Sequence, residues 1–269
     1  MEFQHFLLTR FNVRLTFDIA LQTISCKHPG LDEGWLRRRF ALFETYCLPS
    51  VAAQTAKDFS WLVYWDEKTP LVFKQRMDEM AKCHSFLHPV YCASFDETSL
   101  WKGIDACERT GTAVRITSRL DNDDMLHPRY MEWVQNSVKR EAGKRDLEKG
   151  FFVSFPLGCC LRGRDGYLQR YRNNPFSSYV SAAKTKYTVL DVDHRYIGNE
   201  REVVYVWTKP MWCQVIHGEN VANAVRGIYW KLDCAFTKRI PDGIPARSWL
   251  WKVGEFPRSV WRYWKNRGK

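Results

Sequence analysis

Residues 119–124 read Arg-Leu-Asp-Asn-Asp-Asp, so three carboxylates crowd into four positions of a 269-residue chain whose formal net charge is +11. Asp and Asn also favour turns and helix N-termini, and a lone D-x-D-D tetrapeptide needs no other reading. Like charges packed together nevertheless cost free energy unless a cation neutralises them. A hard divalent metal, Mg²⁺ or Mn²⁺, takes oxygen ligands from one or two carboxylates and completes its shell with substrate phosphates and water. A metal-bound diphosphate is still an anion, which Arg10, Arg14, Arg115 or Arg119 can help to hold. The basic excess points to an anionic partner: a phosphorylated metabolite, nucleic acid or an anionic membrane surface.

Hydrophobic periodicity supplies the elements that must position this cluster. Residues 5–9, HFLLT, read as a buried first strand leading into a polar loop with Arg10, Asn12 and Arg14. Leu36, Phe40, Phe43 and Cys47 recur at helical spacing until Pro49 stops or restarts the helix. FSWLVYW, residues 59–65, is a second buried strand ending on Asp66. Helix over 71–82, a short strand over 87–91 and helix over 99–109 continue the alternation. Strand 113–120 then ends directly on the Asp cluster, and Pro128 opens a helix whose Tyr130, Trp133, Val134 and Val138 share a side. Ligands of open α/β sheets bind beyond the carboxyl ends of the strands, which is where the carboxylates fall.

After the charged break GKRDLEKG the texture changes to short strands: FFVSFPL, YLQRY, YTVLDV and EVVYVW. The expected organisation is one α/β catalytic domain over 1–240, with a nucleotide-type half at 1–142 and an acceptor-side mixed sheet at 150–240. A basic, Trp-rich extension follows over 241–269. Nine cysteines show no C-x-x-C spacing, which excludes a zinc ribbon or redox motif and fits free thiols in a reducing compartment. No signal h-region or membrane-length apolar run is present, so a cytoplasmic protein is expected.

FLLTRFNVR, LFETYCLPSVAAQTAKDFSWLVYWD, RLDNDDMLHPRYM and PMWCQVIHGENVAN together resemble the bacterial rhamnosyltransferase family, within glycosyltransferases of the GT-A fold. The resemblance spans most of residues 5–225 and is looser over 150–200. It implies a mixed central sheet flanked by helices, a hexosyltransferase activity and a nucleoside-diphosphate sugar donor. The acceptor it implies is a glycan or glycolipid of the bacterial envelope. Position by position, it implies that Arg10 and Asn12 border the nucleotide and that Asp66 contacts base or ribose, although Asp66 reads equally well as a turn residue. Asp121 would face the ribose or the diphosphate, Asp123 would ligate the metal, and Asp124 would cap the following helix. Arg119 would form a salt bridge inside the site. His217 would be a further metal ligand, against the plain reading of a structural histidine.

The resemblance names no catalytic base. Asp191 and Asp193, at alternate positions of TVLDVDHRY, would share one face of a strand, which is equally the pattern of a solvated face. Glu219 follows His217 in a Gly-containing loop and is the third candidate. In the tail, Trp249, Trp251, Trp261 and Trp264 interleave with Lys252, Arg258, Arg262 and Lys265. Packing on the domain and contact with the anionic inner leaflet are the two expectations, with Pro257 standing against one uninterrupted helix. A basic nucleic-acid-binding protein with a structural Asp cluster is the competing class, but it lacks a binding motif. A nucleotidyltransferase or phosphotransferase is a third, without a G-x-x-x-x-G-K loop.

Overall fold

The computed structural model describes residues 2–14, 31–218, 225–230, 234–238, 240 and 248–265. In chain order the elements are β1 (Phe3–Arg10), α1 (Glu33–Leu42), a π-helical turn (Phe43–Cys47), α2 (Leu48–Ala52), β2 (Ser60–Asp66), α3 (Leu71–Cys83) and β3 (Leu87–Cys92). They continue as α4 (Glu97–Cys107), β4 (Val114–Arg119), β5 (Met125–Leu126), α5 (Tyr130–Glu141), β6 (Phe151–Ser154), β7 (Leu157–Arg162), β8 (Asp165–Arg170) and β9 (Ser178–Ala182). The rest are α6 (Ile197–Glu200), β10 (Glu202–Tyr205), β11 (Trp212–Val215), β12 (Ile228–Tyr229), α7 (Cys234–Thr237) and α8 (Trp249–Lys265).

Seven strands form one mixed sheet in the order β10-β6-β9-β4-β1-β2-β3. β1, β2, β3 and β4 run parallel, and β9 is antiparallel to both β4 and β6. Both faces of this sheet are buried, which explains strands that read as continuous apolar runs. On one face Leu7, Trp61, Val63 and Trp65 pack against Leu36, Phe40, Phe73, Met77 and Val134 of the helices. On the other, Phe6, Leu8, Leu62 and Tyr64 meet Leu100, Trp101 and Ile104 of α4. Residues from both sequence halves, β1 to β4 and β6, β9 and β10, share this one sheet.

A second sheet, β12-β8-β7-β11-β5, carries the short strand that follows the Asp cluster. β11 pairs antiparallel with β5, Trp212 opposite Leu126 and Cys213 opposite Met125, so the chain near residue 215 is drawn to the cluster. FFVSFPL therefore divides between the two sheets, as β6 and β7.

Two local expectations are corrected. YTVLDV is a turn and not a strand: the Asp191 carboxylate accepts from Thr188 N (2.7 Å) and Thr188 Oγ1 (2.6 Å), so side chains satisfy the backbone in place of a ladder. The tail forms one helix through Pro257. Pro257 lies on the exposed face, where a carbonyl deprived of its donor can bond water. Pro49 restarts its helix as one of the two alternatives foresaw, and it does so across the π turn, where Leu48 N donates to Phe43 O. Among the described residues no helix is long and apolar enough to cross a membrane. Cys47, Cys83, Cys92, Cys107, Cys159, Cys160 and Cys213 are free thiols.

Candidate active site

The carboxylates sit where β4 ends, beside the carboxyl ends of β1 and β2. Four hydrogen bonds fix the segment and the start of the helix after it. Asn122 Nδ2 donates to Phe11 O (3.0 Å), which locks the cluster to the loop after β1. Asp124 Oδ1 accepts from Val215 N (2.8 Å), tying it to the end of β11. Farther on, Gln54 Nε2 donates to His127 O (2.9 Å) while its Oε1 accepts from Met131 N (3.0 Å), pinning α2 to the start of α5.

The tie at Val215 brings in His217. Its Nε2 lies 2.7 Å from Asp123 Oδ2, although 94 residues separate the two in sequence. The same oxygen accepts from Arg39 Nη1 of α1 at 2.5 Å, and that guanidinium also reaches Asn122 Oδ1 at 3.3 Å. The Arg39 and Asp123 side chains are only 13% and 9% exposed, so this is a buried pair with little solvent screening. Arg119 bonds Asp121 at 3.1 Å, and there the Asp121 side chain is 45% exposed and the pair correspondingly screened.

The electrostatics divide the three carboxyls. Burial alone would raise the Asp121 carboxyl, but the Arg119 guanidinium, followed by Arg10, outweighs it and holds the group below the usual range. Asp124 is pushed well above that range by burial and then by the charges of Asp123 and Asp121. Burial and the same three carboxylates raise the Cys47 thiol, whose Sγ lies against Asp121 O. The cluster gathers three carboxyls, Asp123 and Asp124 buried and Asp121 partly exposed, balanced in part by Arg39, Arg119 and Arg10.

A carboxylate oxygen beside an imidazole nitrogen is a donor pair that suits Mn²⁺, and Mg²⁺ through the carboxylate. Among the described residues no group of three or more His, Cys, Asp or Glu side chains is arranged around one point. The residues that could hold a metal here are the pair Asp123 and His217.

The remaining predicted positions fall as follows. Asp66 is buried, and its Oδ1 accepts from Lys68 N (2.8 Å), which is the turn role. Asn12 braces that turn, its Nδ2 donating to Thr69 Oγ1 (2.8 Å) and its Oδ1 accepting from Asp66 N (3.2 Å). Arg10 lies over the Phe95 ring, 5.8 Å from its centroid, within electrostatic reach of Asp121. Asp124 does not cap α5: the N-cap position is Arg129, and Asp124 Oδ1 accepts from Val215 N instead. Arg115 is no phosphate ligand: it is buried, bonded to Glu108 and Thr185 O, and stacked on Trp101. Glu219 lies outside the described residues.

Asp191 and Asp193 share no strand face. Asp191 closes its turn, whereas Asp193 accepts from Arg195 N (2.9 Å) to start a short 3₁₀ turn. Hydrogen bonds from the Arg195 side chain are the main cause holding the Asp193 carboxyl down at about 2, so it is a poor proton acceptor at neutral pH. The neighbouring His194 is a group that sequence reasoning missed. Its imidazole is lowered to about 4, first by burial and then by Arg119, and its Nε2 lies 3.1 Å from Tyr171 Oη. Arg39 was missed as well. The run Arg37-Arg38-Arg39 was visible, but only the helix register shows that Arg37 pairs with Glu33 while Arg39 turns to the cluster.

A family model described as "Putative rhamnosyl transferase" matches residues 4–229. No curated protein matches the chain significantly. Among solved structures, S. aureus TarS 1-349 in complex with UDP-GlcNAc is similar at 10% identity and a TM-score of 0.46, over 81% of this chain and 60% of that one. A putative nucleotide-diphospho-sugar transferase from Desulfovibrio desulfuricans G20 is similar at 9% identity and a TM-score of 0.38, over 98% of this chain and 99% of that one. The chain spans about 60% of the length of the TarS 1-349 structures it matches.

Proposed function

The chain belongs to the family described as "Putative rhamnosyl transferase", and from that membership we propose that it moves a hexose from a nucleoside-diphosphate sugar to a glycan or glycolipid of the bacterial envelope. That membership favours glycosyl transfer on a GT-A-like fold over the nucleic-acid-binding class. The donor, the metal and the acceptor are the proposed parts. The donor and the acceptor rest on the family, and one observation supports the metal: Asp123 and His217, from distant parts of the chain, meet at 2.7 Å beyond the carboxyl ends of the parallel strands.

In this reading Asp123 and His217 hold Mn²⁺ or Mg²⁺. The metal would supply positive charge against the negative charge that builds on the departing diphosphate. The chain's own residues do the rest. Arg39 orients Asp123 through its hydrogen-bonded ion pair, Asn122 fixes the loop to β1, and Arg119 aligns Asp121 at the exposed side of the site. Arg10 adds positive charge at the nucleotide side, and Asp66 and Asn12 shape the turn that would border the base.

The test is nucleotide binding by the purified protein, measured calorimetrically for UDP, GDP and dTDP with and without Mn²⁺. Metal-dependent affinity for at least one is expected, falling about 10- to 100-fold or more in Asp123→Ala and His217→Ala. Binding that ignores both Mn²⁺ and Asp123 would remove the metal from the proposal. Metal-dependent hydrolysis across a panel of nucleotide sugars, rhamnosyl donors included, would identify the donor.

A further inference from the structure

Helix α8 is amphipathic in the wrong sense for a helix that only packs on its domain. Val253, Phe256, Pro257, Val260, Trp261 and Trp264 fall at i, i+3, i+4, i+7, i+8 and i+11, a single apolar stripe. That stripe faces water: Val253 is 52% exposed, Phe256 44%, Trp261 62% and Trp264 60%. Among the described side chains of the helix, the two that are buried are polar. Ser259 is fully buried, its Oγ accepting from Tyr229 N of β12 at 2.8 Å. Glu255 is buried against Tyr167 of β8, 3.3 Å from its hydroxyl, and pairs with Arg262. The helix is thus anchored by hydrogen bonds and presents Val253, Phe256, Trp261 and Trp264 outward. Trp230, 57% exposed, extends the stripe beside Phe256, their ring centroids 6.4 Å apart.

The cations around the stripe say what would cover it. Arg258 and Lys265 are exposed, Lys252 is half-buried, and Lys265 Nζ sits 4.7 Å from the Trp261 ring centroid. Tryptophan beside lysine and arginine on a surface helix suits the headgroup boundary, where indoles insert and ammonium or guanidinium groups meet lipid phosphates. A second copy of this chain would bring the same positive charges against these, and the excess of +11 raises that penalty.

We propose that the outward face of α8, together with Trp230, seats the protein on an anionic phospholipid surface, apolar side chains in the acyl boundary and Lys252, Arg258 and Lys265 on the headgroups. This holds or fails independently of the donor and metal assignments, because no residue of the face belongs to the active site.

The experiment is co-sedimentation of the full chain with phosphatidylcholine vesicles, with and without one third phosphatidylglycerol, at low and high salt. Wild-type protein is expected to pellet with the anionic vesicles, and salt should weaken this. A Phe256→Ser/Trp261→Ser/Trp264→Ser variant should partition at least tenfold more weakly. An Arg258→Glu/Lys265→Glu variant should lose the preference for phosphatidylglycerol. Both should keep the wild-type circular dichroism and nucleotide affinity, since the changed side chains face water. The proposal is overturned if wild-type protein stays in the supernatant, or if both variants pellet like wild type. It is overturned equally if wild type sediments as a dimer that the serine variant abolishes and no lipid binding accompanies it.

Discussion

Removing the Arg39 guanidinium tests the electrostatic design of the site most directly. Arg39→Met keeps much of the side-chain volume but leaves Asp123 buried without its charge partner. Breaking a buried ion pair from one side costs about 3–5 kcal/mol. Here His217 remains on the same carboxylate oxygen, and both partners retain some exposure, 13% and 9%. A cost at or just below the floor of that range, about 2–3 kcal/mol, is therefore expected, a loss of roughly thirty- to a hundredfold or more in the folding constant. Urea unfolding should show it as a lower midpoint with an unchanged slope. Adding Asp123→Asn should return much of the loss, because the orphaned charge is gone, so the two changes should be non-additive by about 1 kcal/mol or more. If Asp123 and His217 hold a divalent cation, Mn²⁺ should also stabilise Arg39→Met more than wild type, since the cation then meets an uncompensated carboxylate. An Arg39→Met protein within about 0.5 kcal/mol of wild type, or strictly additive single changes, would refute the reasoning.

Two further expectations concern the framework. His5 is fully buried, its Nε2 2.7 Å from Ser118 Oγ, and burial lowers its imidazole to about 3. Below pH 6.5 the unfolded chain takes up a proton there that the folded chain refuses, so stability should fall as pH drops from 6.5 towards about 3. His5→Gln should flatten the slope between pH 5 and 6 by about 1 kcal/mol per pH unit, and identical slopes would exclude a buried neutral His5. Gly158 of β7 faces Trp212, and a β-carbon there would strike the indole. That ring has no retreat, being stacked on Phe176 at 4.8 Å and bonded through Nε1 to Phe155 O. Gly158→Ala should cost about 1–3 kcal/mol in chemical denaturation, and an unchanged midpoint would show that the packing gives way.

The alternation of strands and helices was legible because it is local. HFLLT and FSWLVYW place apolar residues on both faces, and a sheet covered on both sides buries such runs, whereas AVRITSRL alternates Val114 and Ile116 with Arg115, Thr117 and Arg119. The D-N-D-D segment was legible for the same reason: its composition is turn-forming, and it directly follows a strand. The YTVLDV segment was misread because β-branched content resembles a strand, whereas Thr188 and Asp191 satisfy its backbone locally.

What the sequence determined, then, was the alternation of strands and helices over residues 5–138 and the carboxylate-rich loop, since propensity, periodicity and turn chemistry act over a few residues. Which side chains meet at that loop was decided by the tertiary structure alone. His217 arrives because β11 pairs with β5 and Val215 N is captured by Asp124. Arg39 arrives because the register of α1 turns it, and not Arg37, towards Asp123. Likewise, the same Trp and Arg residues of the tail read as packing or as surface until Ser259 and Glu255 are seen to face inward. Orientation across long sequence separations is set by pairing register and hydrogen bonds between elements, and no local pattern carries it.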